Sequence, residues 1–192
     1  YTILFVGSVD VYKRQVNVWD DSMTMTTAGG VFSGTRLDPG TAVLMRSVTP
    51  PPSNGTFLDL GCGYGPIACA LARACSGSHI VAVDVNDLAI DLTTRNAKAL
   101  RVGDRVHACR PEEVALTRFD EIWSNPPIRV GKAALHEILT TWLARLSDEG
   151  VAHLVVGKNL GADSLTSWLC EQGFDAARVA SAKGFRVIDV HA

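Results

Sequence analysis

Thr56-Phe57-Leu58-Asp59-Leu60-Gly61-Cys62-Gly63-Tyr64-Gly65-Pro66 decides the fold of this chain. Its first half reads as a short buried strand carrying a single carboxylate. Its second half sets three glycines and a proline where the chain leaves that strand. Open α/β sheets bind ligands beyond the carboxyl ends of their strands. Glycines there let the backbone turn sharply and approach a ligand closely, and a helix opening near Pro66 aims its first amides at the same place. Working outward, short β-branched or apolar runs alternate with longer helical stretches, the pattern of a parallel sheet covered on both faces. Strands are expected at Thr56–Leu60, His79–Val83, Val106–Cys109, 122–124 within the run Phe119–Ser124, 151–156 and about 185–190.

The helices between them follow from period and capping. Leu135, Ile138, Leu139, Trp142, Leu143 and Leu146 make one apolar stripe, predicting a helix over 132–146, with Gly150 ending the turn before the next strand. Asn86 or Asp87 caps a helix running to about Leu100. Asp163 or Ser164 lies in the first turn of another carrying Leu165, Trp168 and Leu169. Upstream, Asp38-Pro39 supplies an N-cap and a first-turn proline for a helix to about Arg46, and the proline-rich stretch 49–55 is a stiff connector. Earlier still, 16–19, 23–27 and Val31-Phe32 read as strand or hairpin material around Gly29-Gly30.

The ligand at the glycine loop can be narrowed by chemistry. A dinucleotide fingerprint needs GxGxxG, whereas here the third glycine comes one residue early and Pro66 takes its position. Asp59 would repel a pyrophosphate but would attract the α-ammonium of an amino acid. On the next strand, Asp84-Val85-Asn86 puts a carboxylate at the tip, where it can accept both ribose hydroxyls. A ligand that joins an amino-acid ammonium to an unphosphorylated ribose is S-adenosylmethionine. The expected cofactor-binding residues are thus Asp59, Gly61, Cys62, Gly63, Gly65, Asp84, Val85 and Asn86, with Glu112 or Glu113 reaching an adenine amino group. Cys62 has no adjacent base and reads as a packing group, not a nucleophile.

A second loop, Asn125-Pro126-Pro127-Ile128, leaves the strand that ends at Ser124. The first proline drives Asn125 toward an extended conformation and the second stiffens the exit. Such rigidity suits methylation of an amide or exocyclic amine, whose delocalised lone pair makes it a poor nucleophile. If the Asn125 oxygen and the Pro126 carbonyl accept its N–H groups, the nitrogen can pyramidalise, and two fixed dipoles stabilise its growing positive charge. This arrangement calls for neither a metal nor a covalent intermediate.

These two loops and Asp84 together resemble class I S-adenosylmethionine-dependent methyltransferases of the small-domain family, and more narrowly the bacterial 16S rRNA guanine-N2 group. Further support comes from Gly30-Val31-Phe32-Ser33, Leu37-Asp38-Pro39-Gly40-Thr41, Lys158-Asn159-Leu160-Gly161-Ala162 and Ser181-Ala182-Lys183-Gly184-Phe185-Arg186. Over about residues 28 to 192 the resemblance implies a Rossmann-like, seven-stranded, mostly parallel sheet with its last strand antiparallel. It also implies that Gly40 and Thr41 close over the cofactor, and that ribosomal RNA or the small ribosomal subunit is the partner of a cytoplasmic enzyme. Two features depart from it. Ile128 stands where adenine-N6 and protein-glutamine methyltransferases carry an aromatic residue for stacking, and the duplicated N-terminal domain of longer members is missing. The other readings are methylation of adenine N6 or protein glutamine, and an inactive cofactor-binding RNA module.

Composition is compatible with all of these. With 192 residues, 47% hydrophobic and 20% charged, one core of ordinary size is expected. No apolar run reaches the roughly 18 residues of a membrane span. The net charge of -2 neither suggests nor excludes RNA. Five cysteines without a CxxC pair fit a reducing compartment, and the scattered histidines suggest no metal site or triad. Arg129, Lys132, Lys158, Lys183 and Arg186 are candidates for a phosphate-contacting rim. Three segments are expected: 1–15, 16–55 and a methyltransferase domain over 56–192. The first, ending Asp10-Val11-Tyr12-Lys13-Arg14-Gln15, reads either as translated adapter sequence on a truncated N-terminus or as an edge strand.

Overall fold

A computed structural model describes residues 4–6, 9–31, 37–51, 54–127 and 130–192. The chain opens with β1 (Leu4–Val6), β2 (Val9–Val18) and β3 (Asp21–Ala28), a three-stranded antiparallel sheet. Helix α1 (Pro39–Ser47) follows, and then β4 (Thr56–Leu60), α2 (Pro66–Ala74), β5 (His79–Val83), α3 (Asp87–Ala99), β6 (Val106–Cys109) and β7 (Phe119–Ser124). The remainder is α4 (Lys132–Leu143), β8 (Leu146–Gly157), α5 (Ala162–Glu171), β9 (Asp175–Ala182) and β10 (Phe185–His191).

The main sheet has seven strands in the order β6-β5-β4-β7-β8-β10-β9. The first five are mutually parallel, whereas β10 runs antiparallel to both its neighbours. This is the class I methyltransferase fold. Alternation along each strand divides the core in two. Phe57, Trp123, Val155 and Val187 face α1, α2, α3 and the N-terminal hairpin. Leu58, Ile122, Leu154 and Ile188 face α4 and α5.

Local chemistry sets the helix starts that matter for the site. The Asp38 carboxylate accepts the amides of Gly40 and Thr41 to cap α1, and Asn86 accepts from Leu88 to open α3. Gly65 caps α2 with a φ of 84°, and a Cβ there would lie 2.8 Å from the Thr93 side chain. Only glycine satisfies both demands.

Several expectations are corrected. The hairpin turns at Trp19-Asp20, not around Gly29-Gly30; Val31 lies outside any strand and Phe32 outside the described residues. The turn carries no glycine, which is why composition missed it. Helix α4 stops at Leu143, and Leu146, though still buried, begins β8 by pairing with Phe119. Gly150 therefore sits within β8, at the irregularity between its two stretches of pairing with β7. Strand β9, the seventh that the resemblance implies, was not placed from sequence, because Asp-Ala-Ala-Arg-Val-Ala-Ser-Ala is an edge strand with one β-branched residue and only Ala176 buried.

The hairpin is tied to the main sheet by polar contacts as well as packing. Arg73 pairs with Asp21, and the Trp19 indole N–H donates to the Val48 carbonyl at 2.9 Å. Asn96 is the central tie: Oδ1 accepts from Thr26 N at 2.7 Å, while Nδ2 donates to the carbonyls of Thr26 and Tyr64, both at 2.8 Å. Its side chain is almost wholly buried. Asn96→Leu would leave three backbone groups unpaired, the Tyr64 carbonyl buried and the two of Thr26 partly buried, so a loss of about 2–4 kcal/mol is expected in urea unfolding.

Candidate functional site

Strands β4, β5 and β7 end level with one another, since Leu60 pairs with both Val83 and Ser124. The loops 61–65, 84–86 and 125–127 consequently leave one edge of the sheet side by side. Two sets of bonds hold them there. Val83 O accepts from the amides of Gly61 and Cys62 at 2.8 and 3.0 Å, and Ser124 Oγ donates to Leu60 O at 2.7 Å.

Asp59 lies beneath the glycine loop, 1% exposed. Its Oδ2 accepts from Ala68 N in the first turn of α2 at 2.9 Å, while Oδ1 is buried with no partner among the described residues. Burial, with a smaller contribution from the Asp84 charge and against the Ala68 hydrogen bond, pushes the Asp59 carboxyl up to about 7. Asp84 is half-buried and bridges the loops: Oδ2 accepts from Gly63 N and Oδ1 from Asn86 N, each at 3.0 Å. Each of its oxygens keeps a second lone pair for another donor. Val85 beside it is 73% exposed, and Asn86 also reaches Gly30 O at 3.3 Å.

The remaining expected cofactor residues divide. Glu113 is used within its own turn, accepting from Arg110 N at 2.7 Å, which leaves Glu112 exposed next to it. Cys62 is buried and receives a bond from Thr93 Oγ1 at 3.5 Å; burial, reinforced by the Asp59 charge, holds its thiol well above the ordinary range. Thr93 also donates to Gly63 O at 3.0 Å. Neither Thr93 nor Asn96 was singled out from sequence. Their signal was polar side chains on the same face of α3 as Ala89, Leu92 and Ala97.

Gly40 and Thr41 lie against the second loop. Asn125 is half-buried, Pro126 buried and Pro127 exposed, while Ile128 and Arg129 fall outside the described residues. Asn125 Nδ2 donates to Asp38 Oδ1 at 2.6 Å and to Thr41 Oγ1 at 3.1 Å. The same Asp38 oxygen accepts from Gly40 N at 2.7 Å and Thr41 N at 3.1 Å. Gly40 packs so closely beneath the Phe185 ring that a Cβ there would come within 3.0 Å of it.

Two expectations about charged residues change. Arg186 is paired with Asp163 and largely buried, so it is not a free cation on the rim. His153 does have acidic partners, drawn from separate strands: its Nδ1 meets Asp189 Oδ1 at 2.7 Å, and its Nε2 lies 3.7 Å from Glu121. Among the described residues no cluster of His, Cys, Asp and Glu is placed to hold a metal, and no helix is long and apolar enough to cross a membrane.

Known proteins resemble this chain in fold and in sequence. It is 34% identical to the uncharacterized protein YbxB of Bacillus subtilis over 169 residues, 86% of this chain and 84% of that protein. It is 31% identical to ribosomal RNA small subunit methyltransferase C of Shewanella halifaxensis over 78% of this chain, but it spans only 45% of that relative. In structure it matches a T. thermophilus 16S rRNA N2 methyltransferase, solved with AdoMet and guanosine, at a TM-score of 0.81 and 24% identity, over 96% of this chain and 51% of that one. A ribosomal protein L11 methylase from Lactobacillus delbrueckii shares the fold at a TM-score of 0.65 and 20% identity, over 92% of this chain and 97% of that one. The methyltransferase small domain matches residues 22–189, and the chain belongs to that family of S-adenosylmethionine-dependent methyltransferases.

Proposed function

We propose that this chain methylates an exocyclic amino nitrogen, with guanine N2 of 16S ribosomal RNA as the acceptor, in the cytoplasm. The observation that carries this reading is the junction of two loops: Ser124, the residue before Asn125-Pro126-Pro127, is bonded to Leu60, the residue before the glycine loop. The residues at that junction fit the cofactor. Asp59 offers a buried carboxylate oxygen without a partner, suited to the α-ammonium. Asp84 keeps acceptor capacity for the ribose hydroxyls, Val85 presents an exposed apolar side chain to the adenine, and Glu112 is free to accept from its amino group. Gly61 and Gly63 keep the backbone bare where the ligand passes, while Gly65 makes room for Thr93. When bound, S-adenosylmethionine supplies an electrophilic methyl group.

The chain's own residues do the rest by orientation and electrostatics. Asn125 Oδ1 and the Pro126 carbonyl accept the two N–H groups of the acceptor, hold its nitrogen still and favour its pyramidal form. These fixed dipoles stabilise positive charge as it grows on that nitrogen, and a proton then leaves to water. A base in folded RNA must first be unstacked to reach this site. A cavity of about 250 Å³ opens between the starts of α4 and α5, lined in part by Lys132, His136 and Ser164.

Guanine is favoured over adenine or glutamine by the names of the ribosomal RNA relatives and by Ile128 in place of an aromatic residue. The test is transfer of tritiated methyl groups into small-subunit rRNA, DNA and release-factor protein, followed by mass analysis of the nucleosides. N2-methylguanosine in rRNA is expected. Label found only in protein would overturn the acceptor assignment.

A further inference from the structure

An asparagine amide presents an acceptor on one side and two donors on the other, and a half-turn about its last bond exchanges them with almost no change of shape. Only one of these states serves methyl transfer to an amine. With Oδ1 outward, the acceptor's N–H meets an oxygen; with Nδ2 outward, N–H would confront N–H. Something must therefore choose between them.

We propose that Asp38, assisted by Thr41, makes that choice: it is a positioning residue that turns the Asn125 oxygen toward the acceptor amine. The inference rests on the catalytic reading of Asn125 given above. Asp38 is a carboxylate and can only accept, and its Oδ1 lies 2.6 Å from Asn125 Nδ2. Flipping the amide would set two oxygens against each other at that distance. The second Nδ2 hydrogen is taken by Thr41 Oγ1 at 3.1 Å, so both donors are engaged on the α1 side. Asp38 is itself immobilised, because the same oxygen caps α1 through the amides of Gly40 and Thr41. Its negative charge also polarises the amide, enriching Oδ1 in electron density at the point where positive charge develops on the acceptor. The two residues are 87 positions apart in sequence, and the start of α1 is what brings them together.

The cap and the orienting contact can be separated by substitution. Asp38→Ser retains a good N-cap residue but has a side chain too short to reach Asn125. Asp38→Asn keeps an oxygen at the position that accepts all three bonds. Under saturating cofactor, Asp38→Ser is expected to lower kcat about ten- to a hundredfold, with cofactor Kd changed by less than about twofold and Tm by only a few degrees. Asp38→Asn should recover most of the rate, and Thr41→Val should show a smaller loss than Asp38→Ser. Independently of activity, the ¹⁵N-resolved side-chain amide of Asn125 should exchange slowly with solvent in the wild type and in Asp38→Asn, and rapidly in Asp38→Ser.

Wild-type kcat in Asp38→Ser, or an Asn125 amide unchanged in that variant, would overturn the proposal. Asn125→Ala, measured alongside, tells its failure from that of the underlying reading. If Asn125→Ala stays active, the catalytic role of Asn125 falls and the positioning role with it. If Asn125→Ala is inactive while Asp38→Ser matches the wild type, only the positioning role falls.

Discussion

Asn125→Ala should lower kcat for methyl transfer by about a hundred- to a thousandfold while leaving cofactor Kd within about twofold, as single-turnover transfer and calorimetry would show. The size follows from removing one of two preorganised acceptors at the point where charge develops. The selectivity follows from where Asn125 points: among the described residues its side chain bonds to Asp38 and Thr41, and not to the glycine loop or Asp84. Fold stability should change little, because Asp38 keeps its bonds to Gly40 and Thr41. Asn125→Asp is a sharper probe. It restores an acceptor oxygen but places a second carboxylate against Asp38, so the pair should hold a proton and the rate should acquire a pH dependence absent from the wild-type loop.

Cofactor affinity should depend on pH through Asp59. Its folded-state pKa of about 7 lies above the ordinary carboxylate value of 3.8 because the group is buried. A group raised in this way favours the unliganded fold most below about pH 4, and that contribution is lost as pH rises through about 7. A cationic ligand asks the opposite: it binds the ionised carboxylate. Cofactor Kd should therefore rise about tenfold for each pH unit below about 7. The Tm increase produced by cofactor should fade over the same range, as calorimetry at a series of pH values would reveal. Asp59→Asn should bind weakly and flatten the profile. If the wild-type profile were already flat, Asp59 would not be the partner of the ammonium group.

The first three strands of the main sheet were legible to the residue, whereas those later in the chain were read less completely. Thr56–Leu60 and His79–Val83 lie inside the sheet between helices, so they read as mainly apolar runs, and glycine or Asp84 marks where they stop; Val106–Cys109 is an edge strand, but Val106 and Cys109 are buried and Pro111 follows closely on its end. Strand β9 lacks these signals because it lies at the sheet edge and exposes most of its side chains. The start of β8 was hidden because Leu146 continues the apolar period of α4 while its backbone already pairs with Phe119. In the site, the three loops could be read because each follows its own strand. The contacts between them and the rest of the chain could not. Asp38 was legible as a helix cap, which it is, but its hold on Asn125 depends on where α1 lies over the sheet. Asn96 was passed over for a related reason: polar residues are common on helices, and only burial between β3 and the glycine loop gives this one its task.

The placement of β10 bears on how the molecule comes into being. This strand is the last of the seven to be synthesised, yet it sits between β8 and β9, both of which leave the ribosome before it. Until it arrives, the nascent chain holds a slot with unpaired backbone on both sides, and residues 185–191 fill it by pairing with the two strands at once. Growth of the sheet is therefore completed from within and not at its rim. A chain whose own strand is delayed presents a ready berth for the same strand of another copy, so exchange of β10 between copies is the misassembly to which this topology is most exposed.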